Sequence, residues 1–390
     1  MKRTPRVLYI VTIPLSAAML MRGQLGYLRE AGFHVAVACS QGPEIDVIRS
    51  REQVNVHVIP MEREISPLKD VFALWKLWTL IRRINPDVVN VGTPKAGLLG
   101  GLAALAAGVP CRVYTLRGLR LETATGFKRW ILVLCERIAA ACAHEVLCVS
   151  ESLRQQALML GLLGRRRTHV LGKGSSNGIN PSRAELSSEQ ARLVSQMRKD
   201  LGLRDGVPVI GFVGRLTKDK GIVELVNAFI TVCKEIPEAQ LLLVGPYEKG
   251  DPVPEDVRHL IDSHPNILSV GYVPDPMVFY HLMTIYAFPT YREGFPTVVL
   301  EAGLVGLPVV GFRATGVVDA VIDGHTGLLG PIGDAEALAS NLLSLIKDED
   351  RAREMGEAAR VHVVHHFRSE VIWSELEQFY WMLLREKGVV

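Results

Sequence analysis

The sequence predicts an α/β protein of two domains, on three observations. Short β-branched runs alternate with helical patterns through the first half of the chain, the alternation stops in a polar stretch near residue 180, and it resumes at residue 209. A parallel sheet covered by helices on both faces produces such alternation, because strands buried on both sides read as continuous apolar runs. With 390 residues the chain also exceeds what one hydrophobic core commonly serves.

In the first half the β-like runs are residues 7–12, 35–38, 55–59, 88–91, 112–116, 145–149 and 168–171. Glycines mark the seams, as in Ala31-Gly32 before the second run and Ala107-Gly108 before the fifth. Residues 180–208 are rich in Ser, Arg and Glu and hold one predicted helix, 188–201. The second series comprises 209–213, 241–244, 267–270, 285–288 and 308–311. After Asp334 the pattern is helical to the end, over 348–366 and 370–387. In the last helix Ile372, Trp373, Leu376, Phe379, Tyr380 and Leu383 recur at helical spacing and need a surface to cover. The expected division is therefore a first domain 1–180, a linker 181–207, a second domain 208–366, and a helix 367–390 crossing back to the first domain.

Composition excludes several classes. The 48% apolar and 22% charged residues lie far from the signature of disorder. A net charge of +3, from 44 basic and 41 acidic residues, gives no nucleic-acid footprint; the local basic exceptions are Arg165-Arg166-Arg167 and the stretch 112–129. Cys39, Cys111, Cys135, Cys142, Cys148 and Cys233 show no C-x-x-C pairing and sit mostly in apolar patterns, as buried reduced thiols in a cytosolic protein would. No signal-peptide pattern precedes residue 6, so a mature start is expected. The nearly uncharged stretch 96–111 is shorter than the ~20 residues of a membrane span and reads as a buried helix and turn.

Chemistry is concentrated in two segments. Arg292-Glu293-Gly294-Phe295-Pro296-Thr297-Val298-Val299-Leu300-Glu301 follows a predicted strand, with Pro296 suited to the first turn of a helix. Eight residues separate the two acids, an axial distance of at most ~12 Å along a helix. That spacing exceeds the ~5–5.5 Å of a retaining glycosidase pair and the ~6.5–9.5 Å of an inverting one. It suits a diphosphate flanked by two sugars, one acid on each sugar and the phosphates at the helix N-terminus. An ordinary Glu-Gly loop and amphipathic helix is the alternative. In the second segment, Gly211-Phe212-Val213-Gly214-Arg215-Leu216-Thr217-Lys218-Asp219-Lys220-Gly221, a strand ends in a glycine turn carrying cations before a helix. Ligands of open α/β sheets bind beyond the carboxyl ends of strands, so Arg215 and Lys220 are placed to stabilise a departing diphosphate. A solvated basic turn is the alternative there.

Together the segments resemble the family-4 glycosyltransferases, with the E-x7-E element at Glu293 and Glu301 and the G-R-L…K-G element at 214–221. Ser175-Ser176-Asn177-Gly178-Ile179, Gly316-Val317-Val318-Asp319-Ala320 and Asp323-Gly324-His325-Thr326-Gly327-Leu328 add to the likeness, which spans nearly the whole chain. The resemblance implies the GT-B fold, two Rossmann-like domains with parallel sheets facing across a cleft. It further implies donor binding mainly in the second domain, acceptor binding mainly in the first, and transfer with retention. By this carry-over Glu293 contacts the sugar, Glu301 the ribose, and Arg215 and Lys220 the diphosphate, with Gly214, Gly294, Phe295, Pro296 and Thr297 as further donor contacts. Closure of the cleft would exclude water from the donor.

The match departs from the family at two places. In the loop after the first strand, residues 16–23, common members carry a Gly-Gly turn near the phosphates; here Arg22 and Gly23 are the corresponding candidates. Many members place a histidine after the fifth strand, where this chain reads Tyr114-Thr115-Leu116-Arg117-Gly118. Either Arg117 takes that position, steadying phosphate or acceptor oxygens without acting as a base, or it is a surface cation. Thr93-Pro94-Lys95-Ala96-Gly97 resembles bacterial members that build capsule, O-antigen or glycoprotein glycans, and puts Lys95 at a helix start facing the cleft.

Weaker signals favour plain structure. Gly172-Lys173-Gly174 lacks the third glycine of a dinucleotide fingerprint. Asp348-Glu349-Asp350 reads as a helix-start charge cluster rather than a metal motif, and His34, His57, His144 and His169 as structural. Residues 72–83 combine Trp75 and Trp78 with basic residues: either a crossover helix packed on its sheet, or a helix lying in a membrane interface. The expected activity is retaining transfer of a hexose or N-acetylhexosamine from a nucleoside-diphosphate sugar, UDP-linked by family frequency, to a glycan acceptor, free or lipid-linked. It serves bacterial surface-polysaccharide or glycoconjugate synthesis in the cytoplasm, at the inner face of the plasma membrane where the acceptor is lipid-linked. No metal, cofactor or nucleic acid is expected, the sugar nucleotide being substrate. A sugar-nucleotide epimerase of the same architecture is the rival, and a non-catalytic sugar-nucleotide binder a third reading.

Overall fold

The computed structural model describes residues 4–62, 66–164 and 167–390. The Arg165-Arg166 pair of the basic run lies outside them. The chain divides into two compact units, one formed by residues 1–178 with 369–390 and the other by 179–368.

Among the described residues the first unit holds a seven-stranded sheet: β1 (Arg6–Ile10), β2 (His34–Cys39), β3 (Asn55–Val58), β4 (Val88–Val91), β5 (Cys111–Leu116), β6 (Glu145–Cys148) and β7 (Thr168–His169). All pairings are parallel, in the order β3-β2-β1-β4-β5-β6-β7. The strand order reverses beside β1, which opens a crevice at its carboxyl end. The second unit holds six parallel strands, β8 (Val209–Val213), β9 (Gln240–Val244), β10 (Ile267–Ser269), β11 (Ile285–Phe288), β12 (Val309–Phe312) and β13 (Gly327–Gly330), ordered β10-β9-β8-β11-β12-β13. The architecture is thus the α/β arrangement expected, twice over.

Strand β13 was not foreseen, because glycines at both ends of Gly327-Leu328-Leu329-Gly330 hide the alternation. The first glycine has a packing reason: a Cβ there would lie 2.2 Å from the Val309 carbonyl oxygen of the neighbouring strand. A second correction concerns residues 16–23, expected as a loop. They belong mostly to a helix, Pro14–Leu20, followed by a turn and the helix Gln24–Glu30. Ala17, Ala18, Met19 and Leu20 favour helix, and Pro14 is preset for its first turn.

The last helix, Ser369–Glu386, belongs to the first unit and buries Ile372, Leu376, Phe379, Tyr380, Leu383 and Leu384 in it. Each such side chain contributes about 1.5–3 kcal/mol. The Trp373 indole donates to Asn177 Oδ1 at 2.7 Å, so the Ser-Ser-Asn-Gly-Ile stretch anchors this helix. Residues 181–207 fall within the second unit. There the turn Pro181–Ala184 packs on the helix Thr297–Val305, and the helix Ser188–Asp200, closed by a Ser187–Gln190 capping box, packs beside Met277–Tyr280.

Candidate active site

Two loops at the carboxyl ends of β8 and β11 carry the predicted donor residues, and three devices sew them together. Gly221 starts the helix Ile222–Glu235 at φ 70°, and a Cβ there would sit 1.9 Å from the Pro289 carbonyl oxygen. Only glycine allows that approach and that left-handed backbone. Asp219 accepts at its backbone carbonyl from Tyr291 N–H at 3.1 Å and from the Thr290 hydroxyl at 3.2 Å, while its carboxylate meets Arg292 at 2.7 Å. The Tyr291 hydroxyl donates to Glu224 at 2.7 Å.

Lys220 Nζ consequently donates to Glu293 Oε1, with both side chains largely shielded from solvent. The Glu293 backbone is fixed from the other side. Its N–H donates to the Thr315 carbonyl at 3.0 Å, and a Cβ on Gly316 (φ 77°) would fall 2.5 Å from the Gly294 carbonyl oxygen. That glycine therefore lets the Gly316-Val317-Val318 stretch press against the loop.

Glu301 lies buried in the helix Thr297–Val305. Its two oxygens accept from Arg183 Nη1 at 2.7 Å and from the Tyr280 hydroxyl at 3.0 Å. Burial raises the pKa of this carboxyl, and the Arg183 guanidinium pulls it back down. Arg183 also reaches Asp275 at 2.8 Å. It escaped sequence reading because a single arginine in a polar stretch 118 residues from its partner has no local signature. Pro296 proves to be the N-cap rather than the first helical residue, and Thr297 begins the helix. Phe295 is buried against Phe367, ring centroids 5.1 Å apart, and packs rather than presenting its ring to a ligand. Gly214 donates its N–H to the Val244 carbonyl at 2.9 Å. Arg215 is exposed and pairs with Glu248, not with either acid of the E-x7-E element.

The first-unit candidates fare differently. Gly23 (φ 79°) and Gly26 both donate their N–H groups to the Glu52 carboxylate, at 2.9 and 3.0 Å. Glu52 thus stands where a phosphate was expected, and it too was missed, lying 29 residues from Gly23. A Cβ on Gly23 would meet the Trp373 ring at 2.6 Å, so packing requires this glycine. Arg22 is exposed, and its carbonyl accepts from Asn177 at 2.8 Å. Lys95 pairs with Asp70 at 2.6 Å and ties two helices. Arg117 is not a surface cation: its Nε and Nη1 are shut off from solvent, and it lines a small cavity of the first unit. Asp348 caps its helix, accepting from Arg351 N–H at 3.1 Å.

On the helix Pro67–Ile84, Ala73, Leu77, Leu80 and Ile81 are buried, whereas Phe72 and Trp75 stack on its outer face with Lys76 Nζ 4.7 Å above the Phe72 ring. The helix Gly126–Cys142 repeats this with exposed Phe127 (75%) and Trp130 (60%), beside Lys128 and Arg129. Both helices pack on Pro94–Ala106. Among the described residues no helix is long and apolar enough to cross a membrane.

Comparison with known proteins gives the same picture from both units. Residues 18–174 match the Glycosyl transferase 4-like domain, and residues 194–362 match Glycosyl transferases group 1. The capsular polysaccharide biosynthesis glycosyltransferase CapM of Staphylococcus aureus is 38% identical over 98% of this chain and 99% of its own. An Escherichia coli UDP-Gal:alpha-D-GlcNAc-diphosphoundecaprenol alpha-1,3-galactosyltransferase is 25% identical over 86% and 85% of the two chains. Among solved structures, Anabaena HepE in complex with UDP and glucose superposes with a TM-score of 0.80 at 19% identity, covering 97% of this chain and all of that one.

Proposed function

The chain belongs to the group 1 glycosyl transferases and has the GT-B fold, and from that premise we propose that it moves a hexose or N-acetylhexosamine from a UDP-sugar to a glycan acceptor, with retention at the anomeric carbon. The pathway proposed is bacterial capsule or related surface-polysaccharide synthesis, which is where the CapM relative acts by its name. The galactosyltransferase relative acts on a diphosphoundecaprenol-linked sugar, and a lipid-linked acceptor is proposed here on that ground.

The observation that carries this reading is the Lys220–Glu293 pair, held within one unit that also carries Glu301. In the proposed reaction Glu293 accepts hydrogen bonds from the sugar hydroxyls, and Lys220, with Arg215, neutralises the diphosphate as the anomeric C–O bond breaks. Charge grows on the leaving oxygen in that step, so fixed cations favour the transition state over the ground state. The acceptor oxygen forms the new bond on the same face, and its proton passes to the departing phosphate. Glu301 takes the ribose hydroxyls, exchanging its bond from Arg183 for theirs.

The exposed aromatic and basic faces of Pro67–Ile84 and Gly126–Cys142 support peripheral contact with the inner face of the plasma membrane. Aromatic rings rest at the headgroup level while cations meet anionic lipid. The experiment is incubation with labelled UDP-hexoses and UDP-N-acetylhexosamines, with and without membrane extract. Labelled glycolipid should form only with extract, and its anomeric configuration should match the donor's. An altered free sugar formed without acceptor would contradict the proposal.

A further inference from the structure

Arg117 follows β5 directly, and its guanidinium enters the first unit through a gap left by Gly92, where a Cβ would stand 3.1 Å from Arg117 Nε. Neither Nε nor Nη1 has a hydrogen-bond partner among the described residues, and both are closed to solvent. The cavity it enters, of about 30 Å³, is lined by Tyr9, Gln24, Asn90, Thr115, Ser175 and Ser176, and no acid contributes to the lining. Ser176 Oγ is likewise buried without a partner.

The neighbouring polar groups cannot neutralise the cation. Thr115 donates to Asn90 Oδ1, Asn90 Nδ2 to the Tyr380 hydroxyl, and Tyr380 to the Tyr9 hydroxyl, each at 2.8 Å. That relay ends on Tyr9, a lining residue whose own hydroxyl hydrogen it leaves free to donate. Burial raises the pKa of both Tyr9 and Tyr380, so both stay protonated and uncharged. Burial also lowers Arg117, to about 10, which leaves it charged at neutral pH. A buried charge with no counter-ion and open donors is strongly destabilising, and such a group calls for an explanation in its ligand.

We propose that this cavity is an anion subsite in which Arg117, Ser176 and Tyr9 grip the oxygens of a phosphoryl group of a substrate. Room for about two water-sized groups suits phosphoryl oxygens better than a whole hexose or nucleoside. The proposal rests on the glycosyltransferase reading for its source, a phosphate that carries the acceptor.

The test uses the full chain, Arg117→Met, and inorganic phosphate and pyrophosphate as probes in thermal denaturation. Phosphate or pyrophosphate should stabilise Lys220→Ala/Arg215→Ala, which lacks the diphosphate cations of the second unit, but not the same variant carrying Arg117→Met. Without probe, Arg117→Met should melt at or above the parent temperature, because it removes an uncompensated charge while keeping the volume. In steady-state kinetics Arg117→Met should raise KM for the acceptor about tenfold to a hundredfold and leave KM for the donor unchanged. Stabilisation by the probes that survives Arg117→Met in that background, or no stabilisation of the background variant by either probe, would overturn the subsite. Probe binding that depends on Arg117 in a protein without transferase activity would uphold the subsite while refuting the proposed reaction.

Discussion

Lys220 and Arg117 are both cations placed just beyond a parallel strand, yet their surroundings differ in kind. Lys220 has Glu293, its loop is cross-linked by Asp219 and Arg292, and the second acid of that unit has Arg183. Arg117 has only neutral hydroxyls and amides near it, and two of its nitrogens go unpaired. On the proposed reading, a donor bound in the second unit would exchange one set of charged bonds for another. Binding there gains only the difference between two sets of charge-assisted bonds, each worth about 1.5–3 kcal/mol. That arrangement favours specificity and turnover over tight ground-state binding, whereas at Arg117 an anion would gain nearly its full interaction.

The sharpest way to break this contrast is Lys220→Ala. Turnover should fall about 10²–10³-fold, with the circular dichroism spectrum unchanged; unaltered turnover would remove the lysine from the chemistry. Next comes the backing of Glu293. Gly316→Ala should lower turnover by up to about a hundredfold through displacement of the Glu293 loop. Gly324→Ala, at the similar φ of 76° but with nothing within 4 Å of the new Cβ, should cost only about 1–2 kcal/mol of stability. Equal effects of the two substitutions on activity would show that the contact with Gly294 does not position the loop.

A smaller effect is expected from Arg183→Ala, which leaves the buried Glu301 without its cation. Urea denaturation should show the second unit destabilised by about 3–5 kcal/mol, with most of the loss recovered in Arg183→Ala/Glu301→Gln. No recovery in the double variant would mean that Arg183 acts through packing or Asp275 instead. Smallest is a pH effect in the first unit, where the Tyr114 hydroxyl donates to Glu136 at 2.6 Å and burial lifts that carboxyl from 4.5 to about 7. Between those values the folded chain binds a proton that the unfolded chain has lost, so its contribution to stability is present at low pH and fades as pH rises toward 7. Glu136→Gln should flatten the melting temperature between pH 5 and 7, and an unchanged slope would assign the dependence elsewhere.

What could be read from the sequence was what is written locally. Runs such as Val209-Ile-Gly-Phe-Val213 announce buried strands, and the last helix shows its apolar stripe. Gly221 and Gly316 were legible as motif members, although only the structure shows which carbonyl each must approach. The missed features depend on distant partners: Glu52 filling the start of the helix Gln24–Glu30, Arg183 on Glu301, and the strand Gly327–Gly330, whose first glycine lies against the carbonyl of Val309. Arg117 fell between its two readings for the same reason. Its burial follows from Gly92 and from helix residues near Tyr380, which no window around residue 117 contains.

The most direct test of the donor assignment is a crystal structure of the chain with UDP. The account predicts the diphosphate within hydrogen-bonding distance of Lys220 and the ribose hydroxyls on Glu301, with the Arg183 bond to that acid broken. UDP bound elsewhere, with Lys220 still on Glu293 and Arg183 still on Glu301, would contradict it.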